Sequence, residues 1–156
     1  MEDIKKIIAV SWVTQYCKGT VHSAVSLATK YGAELAVIHV IDTFWFQGWN
    51  VPMKSQEKER PKYIERIKAE LDNIINREKK GSLKIKTIVK EGDPVEEILK
   101  VIEKEKIDLV IMRAHEESRI EHFLVCGSND AIIRKMPCSI FLVKNEPEPK
   151  VAWVKN

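Results

Sequence analysis

The side chains of this chain that could carry out chemistry gather in its last third. His115 and His122 could ligate a metal ion, and Ser128 with Asp130 could serve as catalytic groups. The histidines stand seven residues apart without a convincing third ligand at suitable spacing, so we assign no metal site. A serine that precedes a helical run is usually an N-cap, and no pair of nucleophile and base emerges. We therefore predict no catalytic residue.

Two arginines in the same region could instead hold an anion. Arg113 and Arg119 carry guanidinium groups, which bind phosphate through paired hydrogen bonds. Glu116 and Glu117 stand between them and would place negative charge where a phosphate should lie. The residue types alone therefore indicate a phosphate contact that neighbouring carboxylates oppose.

Composition and charge narrow the class of protein. The chain has 156 residues, 44% of them apolar, which suffices for one domain with a buried core and is too few for two. The formal net charge is only +3, with both signs interspersed, so we expect no nucleic-acid partner. No apolar run could span a membrane and Met1-Glu2-Asp3 does not open a signal peptide, so we expect a cytoplasmic protein without a membrane partner. Its three cysteines show no C-x-x-C spacing and are interpreted as reduced thiols.

Apolar runs that alternate with helical periodicities predict five strands. The runs are short and rich in β-branched residues, and they cover residues 7–10, 35–41, 83–89, 108–112 and 139–143. The third run largely alternates apolar and polar residues, which is typical of a strand near a sheet edge.

Four helices are predicted between these strands, from residues that typically begin or end a helix. A long loop is predicted from Thr43 to Ser55. The helices are one that Gly32 ends, one that Pro61 opens, one over 95–105 that Asp93 caps with Pro94 at its first position, and one over 131–135.

This alternation of strands and helices predicts an α/β fold in three layers, with a parallel five-stranded sheet between helices on both faces. Ligands of such sheets bind beyond the carboxyl ends of the strands, where the strand order reverses. The segments to inspect are therefore Ser11 to Thr14, Val40 to Asp42, and Arg113 onward.

A set of short motifs resembles the universal stress protein family over about residues 4 to 144. The motifs are Lys5-Lys6-Ile7-Ile8, His39-Val40-Ile41-Asp42, Glu91-Gly92-Asp93-Pro94, Asp108 to Met112, His115 and Pro137-Cys138. The resemblance implies a flavodoxin-like sheet of order 3-2-1-4-5. It also divides the chain into a universal stress protein domain at 1–144 and a C-terminal tail at 145–156.

The resemblance carries an ATP-binding recipe from which this chain departs. The family's ATP-binding branch has an Asp after strand one, a Val that ends strand two, and G-x2-G-x9-G-[ST] after strand four. Here Trp12 replaces the Asp, Arg113 and Glu116 replace the first two glycines, and Cys126 replaces the third, with Gly127-Ser128 displaced by one residue. Candidate cofactor-binding residues implied by the resemblance and by the strand ends are Ser11, Trp12, Val40, Met112, Arg113, His115, Gly127 and Ser128.

Because glycines let backbone N–H groups approach phosphates, their loss favours weak or absent ATP binding, with ATP or another adenine nucleotide left open as a cofactor. In family members the last strand often pairs across a two-fold axis, which implies a homodimer through Ile140 to Val143 here. The expected function is a stress-response binding or adaptor protein with an unidentified protein partner. The alternative is a nucleotide-binding switch or weak ATPase with a non-standard phosphate site. The aromatic segment 44–49 and the tail could each be contact surfaces.

Overall fold

The computed structural model describes residues 3–11, 17–43, 53–114 and 131–144, and the side chains of residues 53–59 lie outside that description. Strands and helices alternate along it. They are β1 (Lys6–Ser11), α1 (Lys18–Tyr31), β2 (Glu34–Asp42), α2 (Met53–Glu78), β3 (Ile85–Gly92), α3 (Pro94–Glu105), β4 (Leu109–Arg113), α4 (131–135) and β5 (Ser139–Val143).

The five strands form one parallel sheet of order β3-β2-β1-β4-β5, which confirms the predicted topology. Successive side chains of β1 enter two separate cores, because strand residues alternate between the faces of a sheet. Ile7 and Ala9 pack with α1 and α2, whereas Ile8 and Val10 pack with α3 and α4. The domain therefore has three layers, as predicted.

Three local signals act as the sequence predicted. Gly32 ends α1 in the left-handed conformation, with φ of 64°. The carboxylate of Asp93 accepts a hydrogen bond of 2.9 Å from the backbone N–H of Glu96, with Pro94 in the first turn of α3. The fifth strand has the predicted bounds.

The prediction that Pro61 opens the second helix was wrong. The helix α2 begins at Met53, so Pro61 lies inside it and residues 53–55 are helical rather than part of the predicted loop. A proline removes one helical hydrogen bond, but the residues from Met53 to Arg60 are mostly strong helix formers, and Ile67, Leu71 and Ile75 anchor the later turns in the core. Residues 44–52 of that loop, with its aromatic segment, lie outside the described residues. No helix in the described part of the chain is long and apolar enough to cross a membrane.

The bounds of the first four strands also differ from the predicted runs, and β1 and β2 each extend one residue further at both ends. β3 begins at Ile85 instead of residue 83 and runs on to Gly92 instead of ending at residue 89, because it pairs with β2 as far as Asp42. β4 runs from Leu109 to Arg113 rather than from residue 108 to residue 112. Asp108 instead receives hydrogen bonds of 2.9 and 2.8 Å from the backbone N–H groups of Lys5 and Lys6. It thereby joins the start of β4 to the start of β1.

The two edges of the sheet have opposite character. β3 is an edge strand, as predicted, and its Lys86 and Lys90 are exposed. β5 forms the other edge and exposes 43% of Phe141 and 42% of Leu142. One edge is therefore charged, and the other is apolar.

Candidate functional site

The carboxyl ends of β1, β2 and β4 lie side by side in the middle of the sheet, because β1 pairs with both neighbours. The order of the strands reverses at β1, so a ligand is expected above its end. Ser11 is the last residue of β1, Val40 lies near the end of β2, and Met112 and Arg113 end β4.

The structure thus brings four of the eight predicted binding residues together at the carboxyl ends of the strands. The other four, Trp12, His115, Gly127 and Ser128, lie outside the described residues.

The four described residues are divided between the two faces of the sheet. Val40 and Met112 belong to the core under α3 and α4, where Met112 is fully buried and Val40 is 8% exposed. Ser11 continues the series of Ile7 and Ala9, which faces α1 and α2. The strand ends are therefore apolar on the face of the sheet that carries Val40 and Met112. Ser11 places a polar group on the other face.

A buried histidine supports Ser11 from the neighbouring strand. His39 pairs with Ser11 in the β1–β2 ladder, and its ring Nδ1 lies 2.8 Å from the Ser11 carbonyl oxygen. Because a carbonyl only accepts, Nδ1 carries the proton of this hydrogen bond. Burial lowers the pKa of His39, against the opposing effects of the Ser11 carbonyl and the Glu70 carboxylate, so the ring is neutral near pH 7.

His39 entered the sequence predictions only as part of a family motif, and its hydrogen bond to Ser11 was not predicted. A histidine inside an unbroken apolar strand was the available signal, since such a ring must be buried and must find a hydrogen-bond partner.

The Ser11 carbonyl has a hydrogen-bond partner, but the Ser11 hydroxyl does not have one among the described residues. Ser11 is 2% exposed, and its Oγ has no hydrogen-bond partner among the described residues. A buried polar group without a partner is costly and uncommon in folded proteins. Among the buried side-chain polar atoms of the described residues, the Ser11 Oγ alone lacks a hydrogen-bond partner.

Arg113 occupies the position of the first glycine in the ATP-binding recipe. The ladder between β4 and β5 continues past it, because Arg113 pairs with Val143 and the backbone N–H of Ala114 donates to the Val143 carbonyl at 2.9 Å. The chain is therefore extended and carries a long, partly buried side chain at the point where that recipe has a glycine.

The turn between β3 and α3 also lies at the carboxyl ends of the strands. Gly92 has φ of 139°, a conformation that L side chains rarely adopt, and its carbonyl accepts a 3.4 Å hydrogen bond from the backbone N–H of Thr43 after β2. Glu91 receives a 2.7 Å hydrogen bond from Arg60 of α2. These contacts hold α2 and the segment after β2 against the end of β3.

The described residues form no metal site at the carboxyl ends of the strands. No group of three or more His, Cys, Asp or Glu residues there could hold a metal ion, and the two histidines weighed from the sequence lie outside it. A shallow cavity of about 50 Å³ opens at the amino ends of the strands, among Lys6, Glu34, Lys86 and Glu105. Its lining includes none of the four described binding candidates, Ser11, Val40, Met112 and Arg113.

Comparison with known proteins agrees with this architecture. The model of the universal stress protein family matches residues 4–144. A universal stress protein of Methanothermobacter thermautotrophicus is 23% identical over 151 residues, which cover 92% of this chain and 99% of the relative.

Two solved structures share the fold. The structure of MJ0577, a universal stress protein of Methanocaldococcus jannaschii, is 23% identical, with a TM-score of 0.75 over 94% of this chain and all of that one. A universal stress protein crystallised with cAMP is 15% identical, with a TM-score of 0.65 over 91% of this chain and 98% of that one. Since the family model spans nearly the whole sequence and the strand order agrees, this chain belongs to the universal stress protein family.

Proposed function

We propose that this chain is a stress-response binding or adaptor protein of the cytoplasm, which acts as a homodimer through β5 and binds ATP weakly or not at all. In this proposal residues 1–144 are the working domain, and residues 145–156 are a tail that contacts a protein partner.

The apolar edge at β5 is the observation that carries the proposal. Phe141 and Leu142 are adjacent and therefore point to opposite faces of the strand, yet each leaves more than two fifths of its surface exposed. Natural proteins usually protect an open sheet edge with charge, as Lys86 and Lys90 do at β3. An unprotected apolar edge favours pairing with another strand, and a second copy of β5 is the partner that every molecule has available.

The end of β4 supports weak ATP binding. Arg113 places a side chain where the recipe needs a bare backbone, and Ala114 gives its N–H to β5. This amide therefore does not serve as a phosphate donor in the described arrangement. The Arg113 guanidinium can still attract a phosphate at longer range, which preserves the alternative.

That alternative is a nucleotide-binding switch or weak ATPase, with Arg113, His115 and Ser128 near the phosphates. The cAMP complex of a structural relative favours it, because the same fold there holds an adenine nucleotide. ATP or another adenine nucleotide would be the cofactor.

Thermal-shift titration separates the two functions. A ligand at 1 mM with a Kd weaker than about 1 mM stabilises by less than about 0.4 kcal/mol, whereas a Kd of about 10 µM gives about 2.7 kcal/mol. For a domain of this size the shifts in Tm are about 1 °C and about 5–11 °C.

We expect the small shift with ATP, ADP and AMP, and a dimer by light scattering in the absence of nucleotide. A large shift with ATP that the Arg113→Ala variant loses would establish the switch instead. A monomer at micromolar concentration would refute the dimer.

A further inference from the structure

The parallel sheet brings the amino ends of all its strands to one surface of the domain. The helices run back against the strands, so their C-terminal ends and the connections to the next strands lie on the same surface. In the described part of the chain this amino-end surface is formed by residues 3–6, 30–34, 78–86, 103–108 and 134–139.

Basic residues dominate the amino-end surface. Its described segments contain eleven Lys or Arg residues against six Asp or Glu residues, so the surface carries a formal charge of +5. The whole chain carries only +3. All of these basic residues except Lys6 are exposed. The two signs alternate along the sequence, but the fold collects the excess of positive charge on one surface.

Half of the acidic residues on this surface are already engaged within the protein. Glu78 lies 2.8 Å from His22 Nδ1, and Glu105 accepts a 3.1 Å hydrogen bond from Lys86. Asp108 accepts the two backbone N–H groups at the start of β1. All three carboxylates belong to half-buried residues. They therefore compete little with a partner for the exposed ammonium groups.

Helix stability accounts for only part of this positive charge. Lys30 and Lys104 stand in the last turns of α1 and α3, where the helix dipole favours a cation. Lys5 and Lys84 instead precede β1 and β3, and neither lies at a helix end. Their exposed side chains add charge that the helices do not need.

An apolar cavity opens within the same surface. It has a volume of about 50 Å³, and Lys6 and Lys86 are among the residues that line it. Its apolar lining includes Ile8, Ala36 and Ile88, which belong to the core under α3 and α4. A small aliphatic group can enter this cavity while carboxylates beside it pair with the lysines.

We propose that the amino-end surface binds an acidic segment of a partner protein, with an aliphatic side chain of that segment in the cavity. The inference rests on the proposed function, because it supplies the chemistry of the adaptor's protein partner. Five strands about 4.8 Å apart place the lysines across about 19 Å, which is the length of about six extended residues. A short acidic segment therefore reaches the whole width of the sheet.

Two other polyanions fit the surface less well. Proteins that hold nucleic acids rely on arginine and on aromatic rings that stack on bases. The described amino-end segments contain one arginine, Arg134, and one aromatic residue, Tyr31. A flat anionic membrane is disfavoured by the proposed dimer. A two-fold axis that joins two copies of β5 in one sheet makes them antiparallel, so the two amino-end surfaces face opposite directions.

The test is fluorescence anisotropy of a labelled synthetic peptide, with one leucine between two runs of glutamate, titrated with the full chain. We expect saturable binding that weakens with added salt. Glutamine in place of the glutamates should weaken binding roughly tenfold or more, because the charge pairs are lost. Serine in place of the leucine should weaken it roughly threefold to tenfold, because the cavity then receives no aliphatic group.

Two variants of the chain form a matched pair for the same titration. Lys84→Glu reverses a charge on the amino-end surface and should raise the Kd of the peptide roughly fivefold. Lys90→Glu reverses the charge of another exposed lysine, which lies on β3 about 20 Å further along the strand. Two Debye lengths fit within that distance, so Lys90→Glu should change the Kd less than about twofold.

The outcomes separate this surface from its alternatives and from the proposed function. Absence of peptide binding at low salt would overturn the inference, as would equal effects of Lys84→Glu and Lys90→Glu or an unchanged Kd for the serine peptide. A single-stranded oligonucleotide or phosphatidylserine vesicles that bind more tightly than the peptide would assign the surface to nucleic acid or to a membrane instead. Light scattering on the same samples reports the dimer. A dimer that does not bind the peptide refutes this surface alone, and a monomer that binds it refutes the dimer alone.

Discussion

Removal of the apolar side chains of β5 should dissociate the proposed dimer. Phe141 and Leu142 leave 43% and 42% of their surface exposed in the single chain. Complete burial of such a side chain contributes about 2–2.5 kcal/mol, so the remaining two fifths are worth about 1 kcal/mol each. Two copies of both residues then contribute about 4 kcal/mol to the interface.

The expected changes in affinity follow from that sum. Phe141→Ala or Leu142→Ala alters both copies and removes about 1–2 kcal/mol, which raises the dimer Kd by roughly tenfold. The two residues lie on opposite faces of the strand and should act independently, so the double variant raises the Kd by roughly a hundredfold.

Sedimentation velocity over a range of concentrations measures these constants directly. Tyr31→Ala is the matched control, because Tyr31 is 52% exposed but belongs to α1, and its substitution should leave the Kd unchanged. Edge-to-edge pairing buries both faces of β5, so both single variants must weaken the dimer. A dimer that responds to only one of them would refute pairing through the strand edge, and one that responds to neither would exclude β5 from the interface.

Three further predictions concern stability and pH. Asp108→Ala removes the acceptor of two backbone N–H groups at the start of β1 and should cost about 2 kcal/mol, seen as a fall in Tm of about 4–8 °C; an unchanged Tm would show that water replaces the carboxylate fully. Gly92→Ala should cost about 1–3 kcal/mol, because φ of 139° is strained for alanine and the new Cβ would lie 3.1 Å from Glu97 Cγ; a urea midpoint equal to that of the wild type would contradict this. Burial lowers the pKa of His39, so the unfolded chain binds a proton at a pH where the folded chain does not. The protein should therefore keep its full stability at alkaline pH and lose part of it as the pH falls below about 6.5. A series of Tm values in which His39→Asn has the same pH dependence as the wild type would rule out this contribution.

The sequence predicted those parts of the fold that local chemistry determines. Unbroken β-branched runs identify β1 and β2 because both faces of these strands are buried, and the Asp93-Pro94 cap fixes the start of α3 within one turn. The start of α2 was mispredicted because a proline is favourable in a first helical turn but is also tolerated inside a helix that its later residues anchor. Local residue preference could not distinguish the two.

The candidate site was predicted to the level of strand ends and no further. The positions of Ser11, Val40, Met112 and Arg113 at one edge follow from the topology. The hydrogen bond between His39 and the Ser11 carbonyl depends on the register of two strands. Whether the Ser11 hydroxyl finds a partner depends on all the residues that surround it in the folded chain. Such nonlocal properties have no signature in a short stretch of sequence.

The contrast between the two sheet edges sets a limit on growth. Once two copies join through β5, the ends of the continuous ten-stranded sheet are both β3, where Lys86 and Lys90 project into solvent. Exposed lysine disfavours addition of a further strand, and the Lys86 ammonium is also paired with Glu105 of α3 at 3.1 Å. Assembly would therefore stop at two molecules and not continue into a fibre. Dimerisation would bury the aggregation-prone edge and leave no second edge of the same kind.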